Sequence, residues 1–219
     1  MPLSLKKKLL KTLKISIISI ASLLLLLFTL PYLFPQTVSD KIKQWANGSI
    51  NGKLDFSKTR LSFFKRFPSL TLTLYDVSLK GSAPFANDTL IAAKELSFGL
   101  DLTSVFEKKI SINKIYLSQA LINIQSDTAG NVNYNVYKSK DKKNPADTAS
   151  ASLGINQILI EDSRLVYNDR SMPMQFNAHG FYYNGKGDLS KDVFDLSTHT
   201  EMESVDFSYN NQSYLVSKN

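Results

Sequence analysis

The chain has 219 residues, with 26 lysines and arginines against 19 aspartates and glutamates, two histidines and no cysteine. Five of the seven excess positive charges are Lys6, Lys7, Lys8, Lys11 and Lys14, and every acid lies beyond Phe34. The remainder is therefore close to neutral and lacks the basic footprint of a nucleic-acid-binding protein, while the absence of cysteine excludes disulfides, thiol catalysis and cysteine-ligated zinc.

Behind the basic start, Ile15 to Phe34 runs twenty residues without a charge. At ~1.5 Å per residue a helix of that length covers ~30 Å, the thickness of a bilayer's hydrocarbon core. A cleaved signal peptide is the rival reading, but it wants small residues at the exit, and this run ends Leu30-Pro31-Tyr32-Leu33-Phe34-Pro35. The expectation is an uncleaved transmembrane anchor with residues 1–14 in the cytoplasm and the bulk of the chain beyond the membrane. Next, Val38, Ile42 and Trp45 fall on one face of a short helix that Asn47-Gly48 should end, and that face is expected to lie on the membrane surface.

From Lys53 the hydrophobic period becomes two. Leu54 and Phe56, then Leu61 and Phe63, then Leu70, Leu72 and Leu74 alternate with polar neighbours and read as strands. The alternation slips at Asp76, before Val77 and Leu79, which predicts a bulge or bend that swaps the faces. Gly81 to Asn87 reads as a loop, Leu90 to Leu102 as a strand, Thr103 to Lys108 as one helical turn, and Ile110 starts another strand.

Two stretches resemble each other at an offset of 43: Ile112, Asn113, Ile115, Leu117, Ala120 and Ile122 match Ile155, Asn156, Ile158, Ile160, Ser163 and Leu165. A repeated strand unit suggests a sheet that grows by addition; chance likeness of two hairpins is the alternative. Residues 138–152 are polar and lysine-rich and read as a flexible loop. Strand-like runs then continue through Phe176, Phe181 to Tyr183, Val193 to Leu196 and Val205 to Tyr209, which predicts an open strand edge near the last residues. The expected domain organisation is 1–14, a span over 15–34, a β region over 35–137, the loop over 138–152 and a continuing, incomplete β repeat over 153–219. The fold class is mainly β: an elongated, curved, groove-like antiparallel sheet with one transmembrane helix and short helices near the membrane.

Little in the sequence points to catalysis. His179 and His199 show no metal-ligand spacing, and Glu201 and Glu203, on one side of a strand, also fit a solvated face. No catalytic residue, cofactor or metal site is expected, and the protein is read as no enzyme. The aliphatic stripes carry the functional question. Leu70, Leu72, Leu74, Ile115, Leu117, Ile158 and Ile160 line either the core of a β-sandwich or a greasy groove for acyl chains, and periodicity cannot separate the two.

The order of several pieces resembles the N-terminal region of the AsmA family of envelope proteins, which includes TamB-like members. The pieces are the basic start with Ile15 to Phe34, Gly52-Lys-Leu-Asp-Phe56, Phe67 to Leu79, Phe98 to Phe106, Ile112 to Leu117, Ile122-Asn-Ile124 and the Gly130-Asn-Val-Asn133 turn. The resemblance spans roughly residues 1–137, and the repeat extends it to about 167. It implies a single-pass bacterial inner-membrane protein with a periplasmic β-groove that passes phospholipid toward the outer membrane and supports its assembly. Phospholipid is then the expected partner, with the stripes as groove lining. The alternative is an assembly scaffold that pairs its open strand edge with another envelope protein. Asp-Thr-Ala, at Asp127 and Asp147, resembles the O-glycosylation triplet of Bacteroidetes envelope proteins and would place sugar on Thr128 and Thr148.

Overall fold

A computed structural model describes residues 11–22, 25, 29, 35–62, 70–101, 111–138, 152–188 and 195–216. Residues 11–22 are helical and exposed on every side. No helix among the described residues is long and apolar enough to cross a membrane. The expected span over 15–34 lies partly outside the described residues, as do most of 1–14, the turn at Thr103 to Lys108 and nearly all of the loop over 138–152.

Among the described residues beyond 29, one helix and ten strands follow. Helix α1 is Pro35–Ser49. The strands are β1 (Leu54–Asp55), β2 (Lys58–Ser62), β3 (Leu70–Lys80), β4 (Thr89–Leu100), β5 (Ser111–Ser126), β6 (Ser152–Asp169), β7 (Met174–Lys186), β8 (Ser197–Glu201), β9 (Ser204–Tyr209) and β10 (Gln212–Leu215). All ten belong to one open, curved sheet in the order β1-β3-β4-β5-β6-β7-β9-β10, with β2 beside β3 and β8 beside β7.

The sheet is mixed, which corrects the expected all-antiparallel arrangement. β5 and β6 run parallel, and the 43-residue repeat is their register: Ile115 faces Ile158, Leu117 faces Ile160 and Ile122 faces Leu165. Like residues thus stand side by side, and the Ala120 amide donates to the Ser163 hydroxyl at 3.1 Å. A register shift between Ile112 and Lys114 makes Leu153, rather than Ile155, the partner of Ile112. The period-two signal carries no strand direction. Direction is set by the connection, and the long segment between Ser126 and Ser152 gives the crossover that parallel neighbours need.

Asp76 is where the phase slip was predicted, and it has φ +50°. It is one of a series. Asp76 stands opposite the Lys94 position of β4, Lys94 opposite Gln119 of β5, and Gln119 is level with Asp162 of β6; Gln119 and Asp162 have φ +50° and +48°. In β7 the left-handed residue is Gly180, at φ +55°, and the paired strand breaks opposite it into β8 and β9. Each left-handed residue shifts the alternation by one, so Leu74 and Val77, and likewise Leu117 and Ala120, share one core cluster although they are three apart. The apolar face therefore stays on one side across the whole line. On the other side Lys94 Nζ donates to Asp76 at 2.9 Å and Gln119 Nε2 to Asp162 at 3.2 Å.

The core is Phe56, Leu74, Val77, Ala93, Leu117 and Ala120, with Ile42 of α1 packed against it. α1 docks through Ser39 and Ala46, both buried, and through Ile42; the Asn47 side chain clasps the Leu54 backbone with bonds of 2.7 and 2.9 Å. The three residues of the predicted face, Val38, Ile42 and Trp45, are thus not equivalent. Ile42 points at the sheet, while Trp45, three positions on, is 50% exposed. A hydrophobic stripe cannot by itself choose between a bilayer and a sheet.

Candidate functional site

Paired strands place opposite residues on the same face, so the registers define the apolar surface row by row. On one side of the left-handed line, Leu72, Phe98, Ile115 and Ile158 form one row, and Leu74, Leu96, Leu117 and Ile160 the next. On the other side come Leu79, Ile91, Ile122, Leu165, Ala178 and Val205. The last row is Ile124, Tyr167, Phe176, Phe207 and Leu215. None of these side chains is charged. At ~3.3 Å per residue, the sixteen residues of β5 carry this surface over ~50 Å.

The seven residues singled out in the sequence divide by burial. Leu70, Leu74 and Leu117 are buried at 6%, 1% and 6% and belong to a closed core. Leu72, Ile115, Ile158 and Ile160 are half-buried. The polar side of β3 is covered as well: Thr71 and Thr73 are fully buried, and Thr73 shares a 2.8 Å bond with the buried Ser97. Both faces are closed near Leu70 to Leu74, so alternation there did not mean solvent. The far rows hold the half-buried Ile124, Tyr167, Phe176 and Phe207. Sequence reasoning noted Phe176 as a strand residue but missed it as lining, because only the register aligns it with Tyr167 and Phe207.

The opposite face of the same strands is polar. Arg164 Nε donates to Asn177 Oδ1 at 2.8 Å, and Asn177 and Gln175 stand opposite Asp206 and Ser208. A concavity of about 760 Å³ beside β7 and β9 is lined largely by this polar side, including Gln175, Asn177, His179 and Asp206. Phe176, Phe207 and Leu215 of the last apolar row also line it.

Among the described residues the histidines and nearby acids are paired locally. His199 Nε2 and Glu201 Oε1 lie 2.7 Å apart with both side chains exposed. His179 contacts Asn177 at 3.1 Å, and the Glu203 amide donates to the His179 carbonyl at 2.9 Å. Among the described residues no three histidines, aspartates or glutamates gather where they could hold a metal ion. Thr128 is exposed in the turn after β5, where Asp127 accepts from the Ala129 and Asn131 amides at 2.8 and 2.9 Å. Thr148 lies outside the described residues.

At the far end of the β5–β6 pair, Asp169 is buried and faces Ser126. Hydroxyls of Ser126, Ser171 and Tyr167 donate to its carboxylate at 2.6, 2.6 and 3.0 Å, and the Met172 amide at 3.2 Å. The Ser126 hydroxyl foremost, then that of Ser171, hold this carboxyl far below the usual carboxylate range. A depressed native pKa contributes stability that is complete above the unfolded-state pKa of about 4 and is lost as pH falls below it. The urea midpoint of the detergent-solubilised chain should therefore drop as pH is lowered from about 5 toward 2. Asp169→Asn should be less stable at neutral pH and should flatten that acid limb; an unchanged limb would mean that other carboxylates carry it.

The crossover is tied down by Asn133, which is fully buried. Its Oδ1 accepts from the Gln125 amide at 3.0 Å, its Nδ2 donates to the Asn123 carbonyl at 2.7 Å, and its carbonyl accepts from the Ser82 amide at 2.9 Å. Gly130, at φ +82°, makes the turn into it. The family model of AsmA matches residues 9–186, from the basic start through β7. The chain belongs to the AsmA family. The match reaches beyond the expected 137–167, since β6 and β7 continue the same sheet. A search of curated proteins returns no match. AsmA-family proteins are envelope-associated and generally non-enzymatic.

Proposed function

We propose that this AsmA-family chain is a periplasmic protein held in the bacterial inner membrane by one N-terminal helix, and that it supports outer-membrane assembly by conducting phospholipid along its apolar sheet face. One observation carries this reading: an uncharged, in-register face runs along β5 and β6 and is half-buried at Ile115, Ile158, Ile122, Leu165, Ile124 and Tyr167, with Leu117 and Ala120 buried between them, whereas α1 covers it on the β1–β3 side. The twenty-residue apolar run before α1 supports the anchor. A lipid tail in water costs ~0.8 kcal/mol per exposed CH₂, so a continuous apolar track lowers the barrier to moving two tails by tens of kcal/mol without a chemical step.

The test replaces half-buried rather than core residues. Phospholipid should co-purify with the detergent-extracted wild type and be strongly depleted in Ile115→Asp/Ile158→Asp, two residues that face each other across the parallel pair. Circular dichroism should show the variant folded. Equal lipid in both would refute conduction along this face.

A second reading rests on the sheet edge. Among the described residues β10 pairs only with β9, and Tyr214, Leu215 and Val216 are 59%, 57% and 67% exposed. Such an edge suits strand addition by another envelope protein. Lipid-free protein whose function survives Ile115→Asp/Ile158→Asp but not Ser213→Pro would favour this scaffold.

A further inference from the structure

The apolar face is longer than one lipid. A single leaflet's tails span about half of the ~30 Å hydrocarbon core, or ~15 Å, against ~50 Å for the track along β5. The left-handed line divides that track. Ala120–Ser126, the part of β5 beyond Gln119, covers seven residues or ~23 Å at strand spacing, enough for one set of tails lengthwise and too short for two. The two halves also differ chemically. Before the line the face is aliphatic around one aromatic, Phe98, with Leu72, Ile115 and Ile158 in its row. Beyond it, Tyr167, Phe176 and Phe207 make an aromatic row between Ile124 and Leu215, and Tyr167 is fixed in place by its 3.0 Å bond to Asp169.

We infer that the sheet holds two diacyl phospholipids in tandem, one on each side of the line, and that Tyr167, Phe176 and Phe207 form the second acyl-chain site. The inference rests on the lipid-conducting reading and adds to it a place, an occupant and a number. An acyl chain is the occupant the surface fits. The row is uncharged and only half-buried, and it lies on the same side of the sheet as the face on which the first lipid is proposed, beyond the buried Leu117, Ala120 and Ala178. Arg164, Gln175, Asn177 and Asp206 alternate to the opposite face, and the one carboxylate on the side of the row, Asp169, stands at its end with its oxygens taken up by the hydroxyls of Tyr167, Ser126 and Ser171.

Site-specific crosslinking separates the two ideas. The full chain is reconstituted in vesicles of phosphatidylethanolamine and phosphatidylglycerol with photoreactive benzoyl-phenylalanine in place of Phe98, Phe207 or, as the opposite-face control, Asn177. Lipid adducts should form at 98 and 207 and not at 177, and a chain labelled at both 98 and 207 should carry two lipids. Adducts at 98 alone would overturn the second site and leave conduction standing. A doubly labelled chain that never carries more than one lipid would overturn tandem occupancy, and equal adducts at 177 and 207 would overturn a sided site. No adduct at either 98 or 207 would remove both readings. The unlabelled protein gives an independent check: native mass spectra should retain two lipids, falling to one in Phe176→Ser, and retention of both in that variant would overturn the assignment.

Discussion

Leu74→Ala is expected to cost about 2–5 kcal/mol of folding stability, measured as the shift in urea unfolding of the detergent-solubilised chain. Leu74 is 1% exposed and sits at the centre of the cluster that joins Phe56, Val77, Leu117 and the α1 residue Ile42. Its row is paired on both sides, by Thr59 of β2 and Leu96 of β4, so the neighbours have little freedom to collapse into the cavity. The half-buried Ile158 provides the contrast. Ile158→Ala should cost roughly 1–2 kcal/mol, because less apolar area is lost. Comparable losses at the two positions would mean that β6 is as closed as β3, and the open-face reading would then fail.

Asn133→Ala is expected to be the largest effect of any polar truncation, about 2–4 kcal/mol from two backbone partners left unsatisfied. The Gln125 amide and the Asn123 carbonyl lose their side-chain bonds at a fully buried position. A second consequence should follow from geometry. Asn133 also receives the Ser82 amide, and its atoms crowd Gly81. The variant should therefore loosen the start of the crossover and the loop after β3 together, seen as faster hydrogen exchange at Ser82 and Gln125 than at Leu117. Aspartate should not substitute for it, since one carboxylate cannot donate to Asn123 while accepting from Gln125. Wild-type stability in Asn133→Ala would show that the crossover is held elsewhere.

Strands β3 to β7 and β9 were legible because their apolar residues alternate. The exposed β8 and β10 carry no such signal, and the run expected at Val193 to Leu196 is not a strand at its described residues 195–196. The slip at Asp76 was legible because Val77 and Leu79 break the parity. The matching slips at Gln119 and Asp162 were not drawn from the sequence. Their meaning lies in the alignment of several strands across the sheet, and no local pattern encodes which residues stand level. The repeat at 43 was visible, yet its parallel pairing was not, for the same reason. The docking face of α1 was not legible because Val38, Ile42 and Trp45 satisfy helical spacing as well as Ser39, Ile42 and Ala46 do, and Ser39 carries no hydrophobic signal. Of the seven stripe residues, three, Leu70, Leu74 and Leu117, proved to be core. The aromatic row at Tyr167, Phe176 and Phe207 was scattered over forty residues that only strand pairing brings together.

By itself the sequence determined the periodic elements, the apolar run before them, the absence of thiol chemistry, and a likeness that the family match supports. These follow from residue spacing and composition, which are local quantities. Only the tertiary structure decided strand direction, the coherent left-handed line, and which stretch of apolar face is closed and which is open. Those depend on neighbours distant in the chain, since burial is a property of what packs against a side chain and not of the side chain itself.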